Sequence, residues 1–323
     1  MNPFQGKILV IRGGAIGDFI LTLPALAALR QHFPQAYLEV LGYPHIVQLA
    51  RLGGLVDEAR SIEARGLAGF FARNGALAED MADYFSEFDL ILSYLYDPDE
   101  IFKTNVSRCT PGQFIQGPHR PKETAGVHAT KVFLQPLERL AIFDPDPVPR
   151  LRIQPRERLS QPSQGGLSAA ESCDEVLETV SVLALHPGSG SERKNWPERN
   201  WADLVQYLIQ QTSFNLLLVG GEAEGERLQR LAAALPPARV RVAQSLPLTE
   251  LAVLLAGCAG FIGHDSGISH LAAAVGLRGL LLWGDSAEEI WRPPSDKIKV
   301  VRKPGGLEQL TVMEVVKQSD FAP

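Results

Sequence analysis

Residues 8–30 read ILVIRGGAIGDFILTLPALAALR, and the order of residue types in this stretch decides the fold class. Ile8–Ile11 form a continuous apolar run of strand length, apolar on both faces. Gly13 and Gly14 end it, and a Leu- and Ala-rich segment of helical length follows from about Asp18 to His32. A strand buried on both sides and followed at once by a buried helix is the repeating unit of a parallel sheet covered by helices. Asp18 is the anomaly, a single acid in the first turn of a helix otherwise made to be buried. It reads either as a first-turn acid that caps the helix or as a general base held beside a bare loop. Gly13, Gly14 and Gly17 read correspondingly as close helix–strand packing or as clearance for a ligand. The order GGAIGD is not G-x-G-x-x-G, and the next strand ends in LGYP without an acid for a ribose, so a dinucleotide site is not expected there.

The same alternation continues. In the first half, AYLEVLGYP (36–44) and FDLILSYL (88–95) read as strands and HIVQLARLG (45–53) as a helix. The stretch 62–87 reads as helical although Gly66, Gly69 and Gly75 interrupt it, and residues 97–150 are rich in Pro and Gly and resist assignment. Residues 155–175, PRERLSQPSQGGLSAAESCDE, replace apolar periodicity with Ser, Gln, Pro, Gly and charge, which marks an interdomain linker or a long surface loop. In the second half VSVLALHPG (180–188), FNLLLVGG (214–221), RVRVA (239–243), AGFIGHDSG (259–267) and LRGLLLWGD (277–285) read as strands. Helical segments at 200–213, 222–235, 248–258 and 268–276 separate them. The expected organisation is α/β: an N-terminal Rossmann-like domain over 1–155, a linker over 156–178, and a C-terminal Rossmann-like domain over 179–323.

The totals agree with a globular protein of two domains. The chain has 323 residues, 45% of them hydrophobic and 21% charged, with a net charge of −6. There is no global basic field to hold nucleic acid. The three cysteines, Cys109, Cys173 and Cys258, lie too far apart for a metal site, and their odd number argues against a disulfide framework. Neither a signal peptide nor a membrane span is legible, so a cytoplasmic protein is expected.

The unusual residues gather at the carboxyl ends of the strands, where parallel sheets bind ligands. HPGSGSERKNWP (186–197) offers His186, Ser189 and Lys194 on glycine- and serine-rich backbone, which reads as a phosphate site or as a solvated loop. VGGEAEGE (219–226) places Glu222 where an acid accepts from a ribose or merely favours the following helix dipole. GHDSGISHLAAAVG (263–276) sets Asp265, Ser266 and Gly267 at a helix start, an anion site by its amides and dipole, with His270 one turn on. Asp265 or Ser266 as a plain helix cap is the competing reading. Trp196 and Trp201 read as core ahead of base stacking.

Taken together, the GxxGD turn with its leucine-rich helix, HPGS…KxW, VGGEAEGE and GHDSGxxHLAAAVG resemble the ADP-heptose:lipopolysaccharide heptosyltransferases of glycosyltransferase family 9, in the same order over nearly the whole chain. The resemblance implies a GT-B fold, two Rossmann-like domains facing across a cleft, and an inverting glycosyl transfer that needs no metal or other cofactor. It implies that Asp18 is the base that deprotonates the acceptor hydroxyl. It further implies that Lys194 neutralises donor phosphate, that Glu222 contacts the ribose, and that Asp265, Ser266, Gly267 and His270 surround the donor diphosphate and sugar. The implied partners are a nucleotide sugar, ADP-heptose in the best-known members, and a glycolipid or polysaccharide acceptor. A monomer with peripheral contact to the inner membrane face is expected. The sequence departs from the pattern after the last long strand, where Asp285 stands at a position often occupied by proline. Basic candidates for the acceptor side are scattered: Arg51, Arg60, Arg65, Arg73, Lys103, Arg108, Arg120 and Lys122. A GT-B enzyme using a UDP- or GDP-sugar and a non-catalytic nucleotide-binding homologue are the alternatives. The terminal stretch LEQLTVMEVVKQSD (307–320) is a candidate to cross back onto the first domain.

Overall fold

The computed structural model describes residues 4–153, 181–319 and 321. The chain divides into two compact units, Met1–Arg152 with Ala287–Pro294, and Ile153–Ser286 with Ser295–Pro323. The linker expected over 156–178 lies outside the described residues.

The first unit is built on five parallel strands: β1 (Lys7–Arg12), β2 (Tyr37–Gly42), β3 (Glu58–Ser61), β4 (Leu90–Ser93) and β5 (Gln113–Gln116), in the order β3-β2-β1-β4-β5. Ile8–Ile11 are fully buried, as a central strand covered on both faces requires. The register pairs Arg12 with Gly42 and Ile11 with Ser93, so the ends of the three central strands lie level. The expected single helix after β1 is two, Ile16–Ile20 and Leu23–His32. Pro24 is the reason: it has no N–H to offer the carbonyl of Ile20, and its ring collides with that carbonyl in a continuous helix. Over 62–87 the glycines also decide the outcome, giving a 3₁₀ segment at Arg65–Phe71 and a helix only from Glu79 to Ser86. A Cβ on Gly69 would lie 2.0 Å from the carbonyl oxygen of Ala76, so the chain turns back on itself there.

The second unit carries six parallel strands: β6 (Val182–His186), β7 (Asn215–Gly220), β8 (Val240–Gln244), β9 (Gly260–His264), β10 (Gly279–Trp283) and β11 (Ile298–Arg302). Their order is β11-β10-β9-β6-β7-β8. Leu183, Leu185, Leu216, Leu218, Leu280 and Leu282 join one core with Trp196, Trp201 and Leu204. Ala184, Leu217, Phe261 and Leu281, on the opposite face of the same strands, are equally buried. The helices expected at 200–213, 222–235, 248–258 and 268–276 are present at Glu198–Gln211, Gly225–Ala233, Leu248–Ala256 and Gly267–Ala274. Gly276, at φ +86°, takes the left-handed position that ends the last of them.

The helix Val312–Gln318 stays with the second unit, where Val315 and Val316 enter the core beside Trp201. What joins the first unit instead is Ala287–Pro294. His128 Nε2 lies 2.8 Å from the carbonyl oxygen of Arg292, and Trp291 donates its indole N–H to Glu123 at 3.2 Å. The guanidinium of Arg120 lies 5.2 Å from the centre of the Trp291 ring.

Candidate active site

In each sheet the strand order reverses at one place, between β1 and β4 in the first and between β6 and β9 in the second. Loops leaving neighbouring strands part there and open a crevice at the carboxyl ends, the usual ligand position in such sheets. Gly13, Gly14, Gly17 and Asp18 follow β1, and His186, Ser189, Lys194, Asp265, Ser266, Gly267 and His270 close or follow β6 and β9, whereas Glu222 follows β7, one strand away from the reversal.

In the first unit, Arg12 closes β1 with its side chain buried to 2% exposure, and Asp18 stands over it at 29% exposure and 3.9 Å. The guanidinium donates to the carbonyl oxygens of His119 at 2.9 Å, Tyr94 at 3.3 Å and Asp18 at 3.4 Å. One cation thus ties together the loops that follow β1, β4 and β5. The ring of Phe133 lies 4.5 Å from the guanidinium carbon. Burial lowers the Arg12 pKa, and the charges of Asp18 and Tyr94 oppose that shift. Arginine nonetheless stays protonated, so this is a permanent buried cation. Burial also lowers the His119 pKa, with Arg12 and Arg120 adding to the effect and Asp18 opposing it.

Asp18 behaves locally as one of the two readings allowed. Its Oδ2 accepts from the backbone N–H of Ala15 at 3.2 Å, closing the turn that enters the helix. The carboxylate is still open to solvent. Gly14 adopts φ +96°, which L side chains rarely take, and a Cβ there would lie 3.1 Å from Asp18 Oδ2. Gly13 lies against Leu95, where a Cβ would be 3.3 Å from Cδ2, and Gly17 is in the helix.

Most of the scattered basic residues have an acidic or carbonyl partner close by. Arg51 pairs with Glu58 at 3.1 Å, Arg60 with Glu39 at 3.3 Å and Arg73 with Asp99 at 3.3 Å. Lys103 pairs with Glu100 at 2.7 Å and Arg120 with Glu123 at 3.3 Å. Arg108 donates to the carbonyl oxygen of Gly75 and to Asn105 Oδ1. Arg65 and Lys122 are exposed.

In the second unit, Lys194 donates to Asp265 Oδ2 at 2.5 Å, with the lysine side chain 38% exposed and the acid 9%. Ser286 donates its hydroxyl to the same oxygen at 2.6 Å, so the loop that contains Asp285 is anchored to Asp265 through the next residue. Ser266, not Asp265, caps the helix Gly267–Ala274 by accepting from the N–H of Ser269 at 3.3 Å. The other first-turn amides, at Gly267 and Ile268, belong to the set a helix cannot satisfy internally, and they carry the positive end of its dipole. His270 is buried at 5% exposure.

His186 is buried and donates through Nδ1 to the carbonyl of Val219 at 2.8 Å, which makes it a fixed member of the strand end. Burial lowers its pKa. Ser189 Oγ lies 2.8 Å from both Ser191 O and Asn195 Oδ1, bracing the Lys194 loop from within. Glu222 is exposed at the tip of its turn. Glu224 closes that turn, accepting from the N–H of Gly221 at 2.8 Å. A Cβ on Gly188 would lie 2.1 Å from Glu224 Cγ, so the two glycine turns touch through this acid. Trp196 and Trp201 are core, their rings 5.5 Å apart.

Four of these side chains were not foreseen: Arg12, Glu224, His264 and Ser286. His264 is fully buried; its Nε2 accepts from the N–H of Trp196 at 2.8 Å, and its Nδ1 donates to the carbonyl of Gly188 at 3.2 Å. One neutral ring therefore holds both ends of the loop that carries Lys194. Burial pushes its pKa down to about 3, and the charges of His186 and Arg227 add to the shift. The available signal was a polar residue closing an apolar strand just before a glycine or an acid, as in KILVIRGG and GFIGHD. Among the described residues, no three His, Cys, Asp or Glu side chains gather as a metal cluster. No helix there is long and apolar enough to cross a membrane.

Comparison with known proteins identifies the family and the fold. The family model of glycosyltransferase family 9 (heptosyltransferase) matches residues 124–317. Lipooligosaccharide heptosyltransferase 2 of Haemophilus influenzae is 29% identical over 159 residues, 48% of this chain and 44% of that protein. The chain thus aligns with less than half the length of that relative. A family 9 glycosyl transferase from Veillonella parvula superposes with a TM-score of 0.75 at 19% identity, covering 98% of this chain and 97% of its own. The Escherichia coli heptosyltransferase WaaC, solved with ADP, gives a TM-score of 0.72 at 20% identity over 96% of this chain and 98% of its own. At such identities the superpositions speak for the fold, which is of the GT-B type.

Proposed function

The chain belongs to glycosyltransferase family 9, and from that premise we propose that it moves heptose from ADP-heptose to a hydroxyl of a lipopolysaccharide-core or other surface-glycan acceptor, with inversion. Asp18 takes the proton of the acceptor hydroxyl. The freed oxygen pair attacks the anomeric carbon on the face opposite the phosphate. The bond from that carbon to the phosphate oxygen breaks, and its electron pair leaves with ADP. Lys194 and the amides at Gly267 and Ile268 offset the charge that develops on the diphosphate, the role a metal ion plays in other transferases. In this reading Asp265 is turned to a sugar hydroxyl, and Glu222 to the ribose.

The observation that supports this most directly is the complementary chemistry at the two strand reversals. One presents an acid over a buried cation, and the other presents a cation over a buried acid. Glycosyl transfer to a diphosphate leaving group needs a base for one reactant and positive charge for the other.

Thermal denaturation of the intact chain with ADP, UDP or GDP tests the donor. A ligand near 100 times its Kd adds about 2.7 kcal/mol of stability. Selective stabilisation by ADP is expected. Selective stabilisation by UDP or GDP would overturn the choice of nucleotide, and ADP binding without turnover of ADP-heptose would point to a non-catalytic homologue.

A further inference from the structure

Two donors share one oxygen of Asp265, and they differ in charge. The Lys194 ammonium lies 2.5 Å from Oδ2, and the Ser286 hydroxyl donates to the same atom at 2.6 Å. The acid itself is nearly sealed, its side chain 9% exposed. The loop that brings Ser286 there follows β10 and is closed by Trp283, a fully buried residue whose indole N–H donates to the carbonyl oxygen of Ser286 at 2.9 Å. The same loop runs against the Lys194 backbone, since a Cβ on Gly284 would lie 4.0 Å from Lys194 Cα. Asp285 is exposed and the residue after it makes the bond, so the unusual acid at position 285 leaves the anchor intact.

The diphosphate of the proposed donor acts on these two partners unequally. It attracts the ammonium strongly and the neutral hydroxyl hardly at all. Once the lysine turns to phosphate, Asp265 is a nearly buried carboxylate with negative charge close by. Burial and like charge both disfavour its ionised form, and a hydrogen bond to the carboxylate favours it. The Ser286 hydroxyl supplies that bond and pins one oxygen to a loop that is itself fixed by Trp283. An ionised carboxylate accepts at about four lone-pair sites. Held in place at Oδ2, it keeps acceptor capacity for hydroxyl donors, which a sugar carries and a nucleoside diphosphate lacks at its phosphate end.

We propose that Ser286 is a positioning residue for the sugar end of the donor: it holds Asp265 in place after the diphosphate has drawn Lys194 away, so that the acid meets a sugar hydroxyl. Of the two donors on Oδ2, the charged one serves the phosphate and the neutral one serves the sugar. The inference rests on the donor reading above, since it needs a diphosphate to displace the lysine. Its consequence is a separation that a purely structural loop would not give, because Ser286 acts on recognition of the sugar and not of the nucleotide.

Calorimetry of the intact chain with ADP and with ADP-heptose tests it. Ser286→Ala keeps the turn, because the bond from Trp283 goes to the backbone carbonyl and not to the hydroxyl. It weakens ADP-heptose about 10- to 100-fold, the range of a lost hydrogen bond to a charged group, and leaves ADP within about twofold. Ser286→Thr, which retains the hydroxyl, brings ADP-heptose back to within about threefold of wild type. In an Asp265→Ala background, Ser286→Ala adds less than about twofold, since the two act as one unit. Wild-type affinity for ADP-heptose in Ser286→Ala overturns the inference. So does an equal loss of ADP and ADP-heptose, or a full effect of Ser286→Ala when Asp265 is already gone. A wild-type chain that binds neither ligand strikes the donor reading, and the inference falls with it; a wild-type chain that binds both while Ser286→Ala changes nothing strikes the inference alone.

Discussion

The two strand reversals are inverses of each other. In the first unit the cation is sealed, with Arg12 at 2% exposure, and the acid Asp18 is offered at 29%, the two 3.9 Å apart. In the second unit the acid Asp265 is at 9% and the cation Lys194 is offered at 38%, in direct contact at 2.5 Å. The difference in contact matters as much as the difference in exposure. Arg12 spends its hydrogen bonds on carbonyl oxygens and leaves the Asp18 carboxylate to accept from one backbone N–H. Lys194 is neutralised by its acid, and in the proposed transfer the donor diphosphate draws it away. A proton acceptor must be available before substrate arrives, whereas a phosphate ligand can displace a stand-in carboxylate as it binds.

Asp18→Asn breaks the comparison most sharply. The amide oxygen still accepts from the N–H of Ala15, so the turn survives, but the side chain no longer takes a proton. Turnover should fall about 10²- to 10⁴-fold, the range of a lost general base. ADP affinity should be unchanged, because the proposed donor residues belong to the other unit. Turnover assayed by ADP release from ADP-heptose with acceptor, alongside ADP calorimetry, reads both; wild-type turnover in this variant would remove Asp18 from the mechanism.

Lys194→Ala is expected to act on the other side of the inversion. A hydrogen bond to a charged group contributes about 1.5–3 kcal/mol, which corresponds to about a 10- to 100-fold loss of ADP affinity. Deleting the lysine also leaves Asp265 facing the diphosphate uncompensated, which moves the loss toward the upper end. If calorimetry finds ADP affinity within twofold of wild type, the charge on the diphosphate is met elsewhere.

Asp18, Lys194 and Asp265 were legible in the sequence, and the side chains that hold their loops, Arg12 and His264, were not, for a physical reason. A strand that is apolar on both faces announces itself by a continuous run, as ILVI and VLAL do. The edge strands β3, β5 and β11 do not, since Glu58–Ser61, Gln113–Gln116 and Ile298–Arg302 mix polar and apolar residues on half-exposed faces. The strand-end glycines and the acid-bearing loops stood out because nothing in a packing pattern calls for them. Arg12 and His264 were hidden by the opposite circumstance. Each closes an apolar strand, where a polar residue is ordinarily read as the first one in water. What buries them is the convergence of loops distant in sequence: residues 94 and 119 on Arg12, and 188 and 196 on His264. The break in the helix after Ile20 was decided by one residue, Pro24, within an otherwise uniform apolar segment.

The two hubs also differ in how they respond to acid, which sharpens the comparison at its smallest expected effect. Arg12 keeps its charge throughout the accessible range. His264 is neutral when folded, its pKa pushed down to about 3 by burial first and by neighbouring charge second. Once unfolded, the same ring takes up a proton near its ordinary pKa of about 6.5. Between these values the unfolded state binds more protons, so stability is lost as pH falls from about 6.5 toward 3, at about 1.4 kcal/mol per pH unit from this residue. His186, also lowered by burial, adds in the same direction. His264→Gln retains an acceptor for the N–H of Trp196 and removes the titrating group. It should be less stable than wild type at pH 7, yet lose stability less steeply between pH 6.5 and 4.5. Denaturant midpoints across that range decide the matter. Parallel slopes for the two proteins would mean that the ring is protonated in the folded chain, and that the loop carrying Lys194 is held by a charge after all, as the first unit's edge is.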